Sequence, residues 1–276
     1  MKSGSEAIQG SGRLYIVATP IGNLGDMSDR AREILSVVDV IACEDTRRTR
    51  KLISAFQLGS SERMVSFHEH NEIARTDTLI QSLREGLNVA LVCDAGTPTI
   101  SDPGFRLIDA AHDQEIEVTA IPGPSASVTA LAMSGFACFR FCFEGFLPTK
   151  KSTRLRRLKE IDQDERPTIV FESPYRITRT ISSLHEALGS TRRVFIAKEI
   201  SKLHETTWRG TLGELDPFGP DNAKGEFVIV VEGNQATKAH GFNYDEAEII
   251  SPSSYPEGTG GFSHQRKSHG TSSSRY

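Results

Sequence analysis

Apolar positions along the chain fall into short continuous runs separated by longer segments in which they recur at helical spacing. Leu14–Ala18, Val37–Cys43, Met64–Phe67, Val89–Cys93 and Glu115–Ile121 read as strands. Between them, Ser28–Ser36, Thr46–Phe56 and the stretch from Asn71 to Gly86 carry helical spacing. Asp102-Pro103 predicts another helix start, with Asp at the cap and Pro in the first turn. Pro122-Gly123-Pro124 opens a helix that ends at Gly135. The second half repeats the style. Phe139–Phe143, Thr168–Phe171, Val194–Ala197, about His204–Arg209 and Glu226–Val231 read as strands. Lys150–Ile161 reads as a basic helix, and Ser173-Pro174 caps a helix that stops at Gly189. Strands alternating with helices imply βαβ units, a mostly parallel sheet and an α/β fold.

The pattern also suggests where the chain divides. A boundary is expected at the Pro-Gly-Pro turn, giving α/β domains over residues 13–122 and 123–234. Residues 1–12 read as a flexible lead and residues 235–276, rich in Ser, Gly, Pro and His, as a disordered tail. The length, 276 residues, agrees with about two domains. Apolar runs fall far short of the roughly 18 residues that a membrane span needs, and the N-terminus has no apolar signal region. The cysteines Cys43, Cys93, Cys138 and Cys142 form no C-x-x-C pair. They read as small buried hydrophobes in a reduced, cytoplasmic protein, with Cys138 and Cys142 on one face of a strand. No metal site is expected; His68 and His70 alone are a weak ligand pair. The net charge of −4 excludes a uniformly basic nucleic-acid binder and requires a local patch instead.

Three strand ends run into Gly- and Pro-rich loops: Thr19–Asn23, Asp94–Pro98 and Pro122–Ala126. In an open parallel sheet, strand carboxyl ends form the ligand crevice, so together these loops suggest a cradle for a mid-sized polar ligand. Neither the dinucleotide fingerprint nor a Walker loop is present. Two basic clusters suit phosphate contact: Arg47, Arg48, Arg50 and Lys51, and the run Lys150, Lys151, Arg154, Arg156, Arg157 and Lys159. The alternative is a solvated helix face, and Glu160, Asp162, Asp164 and Glu165 follow the second run at once. Further polar groups gather near strand ends: His68 and Glu69; Glu172 and Arg176; Lys198, Glu199 and Lys202.

Eight motifs in order carry a resemblance. They are Thr19-Pro20-Ile21-Gly22-Asn23-Leu24-Gly25-Asp26, Glu44-Asp45-Thr46-Arg47, Ser66-Phe67-His68-Glu69-His70-Asn71, Asp94-Ala95-Gly96-Thr97-Pro98, Ser101-Asp102-Pro103-Gly104, Pro122-Gly123-Pro124-Ser125-Ala126, Gly145-Phe146-Leu147-Pro148 and Phe171-Glu172-Ser173-Pro174. Over about residues 13–233 the chain resembles the RNA-modifying branch of the tetrapyrrole methylase family. The resemblance implies two α/β domains with S-adenosylmethionine in the cleft between them, and usually a homodimer. It implies 2′-O-methylation of a cytidine in 16S ribosomal RNA near the decoding site, on free RNA or the 30S subunit. By motif, Pro20, Ala95, Gly96, Thr97, Ile100, Ser125 and Ala126 would line the cofactor pocket, with Phe171 closing it. The second loop lacks the Asp of the family's usual Gly-Gly-Asp-Pro, which counts against a porphyrinoid substrate. The small helical segment that such enzymes often carry at the C-terminus has no matching pattern here.

A ribose hydroxyl needs a base or cationic help, and Glu44, Asp45, His68, Glu172, Lys198 and Glu199 are candidates. Arg47, Arg48, Lys150, Lys151, Arg154, Arg156, Arg157, Arg176 and Lys202 are candidate RNA contacts. Two rival readings stay open: a small-molecule methylase acting on a tetrapyrrole-like ring, and a non-catalytic RNA-binding protein on the same fold.

Overall fold

A computed structural model describes residues 10–59, 61–215 and 224–234. The expected tail lies outside the described residues, as does most of the expected lead.

The first half forms one parallel sheet. Its strands are β1 (Leu14–Val17), β2 (Val40–Cys43), β3 (Met64–Ser66), β4 (Val89–Val92) and β5 (Val118–Ile121), in the order β3-β2-β4-β1-β5. Every residue of β4 is buried, as a central parallel strand covered on both faces requires. Alternation along each strand feeds two cores. Ile41 and Ala90 meet Ala31 and Leu35 of α1 (Asp29–Val37) and Ile53 of α2 (Thr46–Ala55). Ala42 and Leu91 meet Leu79 and Leu83 of α3 (Glu72–Arg84) and Leu107 of α4 (Phe105–Asp113).

The second half builds a mixed sheet. Its strands are β6 (Cys142–Phe146), β7 (Thr168–Glu172), β8 (Arg193–Lys198), β9 (Thr206–Thr211) and β10 (Phe227–Val231), in the order β6-β7-β10-β8-β9. Only β6 and β7 are parallel; β10 runs antiparallel to β7 and β8, and β9 antiparallel to β8. The expected mostly parallel arrangement therefore fails here. Among the described residues no α-helix intervenes between β8, β9 and β10, only a 3-10 turn at Leu212–Glu214, and these strands pair antiparallel as short connections favour. Helices α6 (Lys151–Asp162) and α7 (Ile177–Leu188) cover one face through Leu158, Ile161, Ile177 and Leu184. The other face packs on α5 (Ala126–Ser134) through Ala130 and Leu131. The chain thus leaves the first sheet at Ile121 and its next helix already belongs to the second.

Several local expectations are corrected. Helix α4 starts at Phe105, not at Asp102-Pro103, because Gly104 occupies the cap with φ +136. Helix α7 begins at Ile177; Ser173 contributes only its carbonyl, which accepts from the Arg176 and Ile177 amides. Strand β6 lies three residues later than Phe139–Phe143, in register with β7. Cys138 is consequently exposed ahead of the strand rather than on its face, and Cys142 is only half-buried; Cys43 and Cys93 are buried as expected.

Candidate active site

The carboxyl ends of β1, β4 and β5 turn toward the second sheet, and a cavity of about 430 Å³ opens there. That volume suits a ligand of cofactor size. Its first wall is the loop after β4, Asp94 to Asp102, with Glu44 and Arg48 beside it. Its second wall comes from Ser125, Ala126 and Ser127 at the start of α5, and its third from Phe146, Phe171, Glu172 and Ser173. Ile21 from the loop after β1, with Pro174, Ile200, Lys202, Glu226, Phe227 and Val228, completes it.

The loop after β4 is held in an unusual backbone path. Thr19 and Gly96 exchange backbone hydrogen bonds at 2.8 and 3.0 Å, tying the β1 and β4 loops together. Gly96 needs the left-handed region, with φ +91. Thr99 and Ser101 also sit at positive φ, +74 and +66, uncommon for any residue but Gly and rarest for a β-branched one such as Thr99. Such strain persists only where the surroundings fix it, and here it lies at the cavity wall. Thr97 Oγ1 donates to the Pro124 carbonyl at 3.2 Å, joining this loop to the Pro-Gly-Pro turn.

Three carboxylates gather at this wall. Burial, reinforced by the charge of Asp94, raises Glu44 above its ordinary range. Burial likewise raises Asp94, opposed chiefly by Arg48, whose Nη1 lies 3.3 Å from Asp94 Oδ2. Asp102 is pushed up to about 6, first by burial and then by the charges of Glu44 and Asp94 despite a hydrogen bond with Cys93. The cavity is therefore apolar in its walls and acidic on one side. That combination suits a ligand with an apolar or aromatic body and a cationic centre.

The expected cofactor residues come together, with one exception. Ala95, Gly96, Thr97, Ile100, Ser125, Ala126 and Phe171 all line the cavity; Pro20 does not. The expected catalytic group is dispersed. Glu44 and Glu172 reach the cavity, whereas Asp45, His68, Lys198 and Glu199 are absent from its lining. Glu172 is fully buried and committed: it accepts from the Ser173 amide at 2.7 Å and Thr180 Oγ1 at 2.5 Å, and lies 3.3 Å from Arg176 Nε. Asp45 caps α2 and accepts from Arg47 Nη2 at 2.7 Å. Glu199 accepts from Lys202 Nζ at 2.8 Å. His68 Nε2 stands 3.2 Å from Asn71 Nδ2, in the turn before α3.

The basic clusters separate more sharply. Arg48 of α2 lines the cavity, while no residue of α6 does. Arg154 is not a surface contact at all: it is 2% exposed, and its guanidinium donates to Ser183 Oγ and the Pro148 and Thr149 carbonyls. Arg157 pairs with Glu144 and Glu160, and Lys151 with Glu186. Arg176, also named as an RNA contact, turns inward to the Leu147 carbonyl and Glu172. Lys202 enters the cavity already bound to Glu199 and Glu226 at 2.8 and 2.9 Å. Among the described residues no cluster of three or more His, Cys, Asp or Glu could hold a metal.

Asp94, Asp102 and Phe146 were not among the expected site residues. Asp94 and Asp102 do lie in the quoted loop motifs after β4, a signal that the helix-cap reading of Asp102 concealed.

Residues 13–216 match the model for Tetrapyrrole (Corrin/Porphyrin) Methylases. The chain is 48% identical over 223 residues to the Ribosomal RNA small subunit methyltransferase I of Synechocystis sp., covering 80% of this chain and 79% of that protein. It is 43% identical over 239 residues to the protein of that name from Escherichia coli O157:H7, covering 86% and 83%. Among solved structures it is similar to uroporphyrin-III-C-methyltransferase from Thermus thermophilus, with TM-score 0.55 at 19% identity, over 80% of this chain and 94% of that one. It is similar also to the methyltransferase CobJ, with TM-score 0.60 at 17% identity, over 81% and 95%. The last two likenesses speak to the fold.

Proposed function

The chain belongs to the tetrapyrrole methylase family and, within it, to the group of ribosomal RNA small subunit methyltransferase I, and on that footing we propose that it methylates the 2′-oxygen of a cytidine ribose in 16S ribosomal RNA near the decoding site. S-adenosylmethionine is the proposed methyl donor, bound in the cavity flanked by residues 13–122 and 123–234, read as two domains. The observation that carries the reading is the convergence of the β1, β4 and β5 loops on one cavity with acidic and apolar sides. When bound, the cofactor supplies an electrophilic methyl on a cationic sulfur. Glu44, Asp94 and Asp102 suit that charge, and Ala95, Gly96, Ser125 and Ala126 suit its bulk because they present little side chain to the cavity.

Positioning does much of the work in such a transfer, since one displacement needs three atoms in line. Of the two sequence-derived carboxylates in the cavity, Glu172 is held by the Ser173 amide and Thr180, whereas Glu44 meets only the Asp94 backbone and is the less committed. Its raised affinity for a proton suits a base that takes the hydroxyl proton as the oxygen attacks. The α2 cluster, entered through Arg48, is the better placed of the two basic runs to hold RNA phosphates. No helix among the described residues is long and apolar enough to cross a membrane. We place the protein with its substrate in the cytoplasm and read it as a homodimer. Mass mapping of 16S RNA from cells with and without the protein tests this reading. A methylated cytidine ribose present only with the protein is expected; identical maps would overturn it.

A further inference from the structure

Strand β6 carries a β-bulge whose effect is to aim one aromatic side chain. In the parallel pairing with β7, Phe143 stands opposite Ile169, Gly145 opposite Val170 and Phe146 opposite Phe171. Glu144 is the extra residue. In an unbulged strand Phe143 and Phe146, three positions apart, would point to opposite faces of the sheet, because side chains alternate strictly. With the bulge, both rings share the face of Phe171. Gly145 follows the extra residue with φ +65, a left-handed conformation that glycine adopts without steric cost. A Cβ there would also come within 2.9 Å of Ser101 Oγ, so the bulge is fitted against the strained loop after β4.

The result is an ordered aromatic wall. Phe143 and Phe146 both meet Phe171 edge to face, with centroids 5.1 and 5.9 Å apart. Phe146 lines the cavity and yet remains 54% exposed. A large apolar ring packed on one side against Phe171, yet 54% exposed at a cavity that also contains carboxylates, is poorly explained by core packing. It is well suited to stack on a flat heteroaromatic ring, and base–aromatic stacking tolerates any base because each presents a π-face.

We propose that Phe146, held by Phe171 and re-aimed by the Gly145 bulge, is a stacking platform for a nucleobase of the RNA substrate. The proposal rests on the RNA-methylating reading above, to which it adds a base-binding subsite. A second occupant, the adenine of the cofactor, shares the same chemistry, so the test separates the two.

Phe146→Ala, Phe146→Leu and Phe146→Trp are compared with the unsubstituted protein by two binding measurements and one rate. Calorimetry gives the affinity for S-adenosylmethionine. Fluorescence anisotropy gives the affinity for an unstructured cytidine hexanucleotide and for an abasic hexanucleotide of the same charge. Methyl transfer to 30S subunits gives KM. Phe146→Ala and Phe146→Leu are expected to weaken the cytidine oligonucleotide about tenfold and raise KM similarly, while leaving the abasic oligonucleotide and the cofactor unchanged. Phe146→Trp should restore both. Because the ring is half-exposed, all three variants should fold, which thermal unfolding checks. If Phe146→Leu binds the oligonucleotide as the unsubstituted protein does, the ring face is irrelevant and the proposal falls. A tenfold loss of cofactor affinity would assign the wall to adenine and overturn it equally. Absence of any methyl transfer by the unsubstituted protein defeats the RNA-methylation reading instead, and the oligonucleotide comparison still decides the stacking subsite.

Discussion

At the scale of single residues, the cavity is set by groups whose surroundings oppose their ordinary state. Asp102 is the clearest, with a carboxyl pushed from 3.8 to about 6 chiefly by burial. The folded chain then holds a proton that the unfolded chain releases first. The stability this neutral carboxyl contributes is complete below about pH 4 and is lost as the pH rises through about 6. Asp102→Asn should remove that decline, so chemical denaturation at pH 5 and pH 7.5 should differ less in the variant than in the unsubstituted protein. Glu44→Gln should lower kcat by about 10²- to 10⁴-fold, as loss of a general base does, with oligonucleotide affinity unchanged, in single-turnover assays. Arg154 illustrates the opposite outcome for a charged residue. Its side chain is buried beside Ser183 and committed to three acceptors, so Arg154→Ala should cost about 3 kcal/mol of stability by denaturant titration. In the sequence it was indistinguishable from its basic neighbours, because only the tertiary partners Ser183, Pro148 and Thr149 mark it as internal.

At the scale of elements, regular periodicity was legible and exceptions to it were not. Helices α1, α2, α5 and α6 lie where spacing places them, and the short apolar runs of β1, β4 and β10 are strands. The start of α4 was misread because Asp102-Pro103 has the composition of a cap, while the chain uses Gly104 at φ +136. Strand β6 was misplaced because four phenylalanines spread over Phe139–Phe146 allow more than one register, and pairing with β7 selects the later one. The bulge at Gly145 is invisible to any alternation rule, since it exists to break alternation. The three loops at the ends of β1, β4 and β5 were readable from Gly and Pro alone, and they do meet at one cavity. The basic helices differ in what their sequences could not display, namely their ion-pair partners. Arg50→Glu with Lys51→Glu on α2 should raise KM for 30S subunits and reduce the slope of log affinity against log salt by about two. Arg156→Glu with Lys159→Glu on α6 should leave that slope nearly unchanged.

At the scale of the whole molecule, a parallel sheet and a mixed sheet face one cavity, and each supplies what the other lacks. The first brings strained loops and carboxylates; the second brings the aromatic wall and Lys202. Contact between the halves is direct, with Ser201 Oγ donating to Asp26 and Lys202 packed over Gly22. A ligand that touches both halves should therefore stabilise them together. S-adenosylmethionine at about a hundred times its dissociation constant should add about 2.7 kcal/mol, seen as one upward-shifted unfolding transition. The net charge of −4 is consistent with an RNA enzyme only if positive charge is concentrated near the cavity mouth, which is where α2 lies. The central claim, methyl transfer from a cofactor in this cavity to ribosomal RNA, is tested most directly with radiolabelled S-adenosylmethionine and 30S subunits that lack the mark. Label incorporated at one cytidine ribose, stoichiometric with subunits, is predicted. Cofactor bound at the cavity with no label reaching the RNA would contradict it.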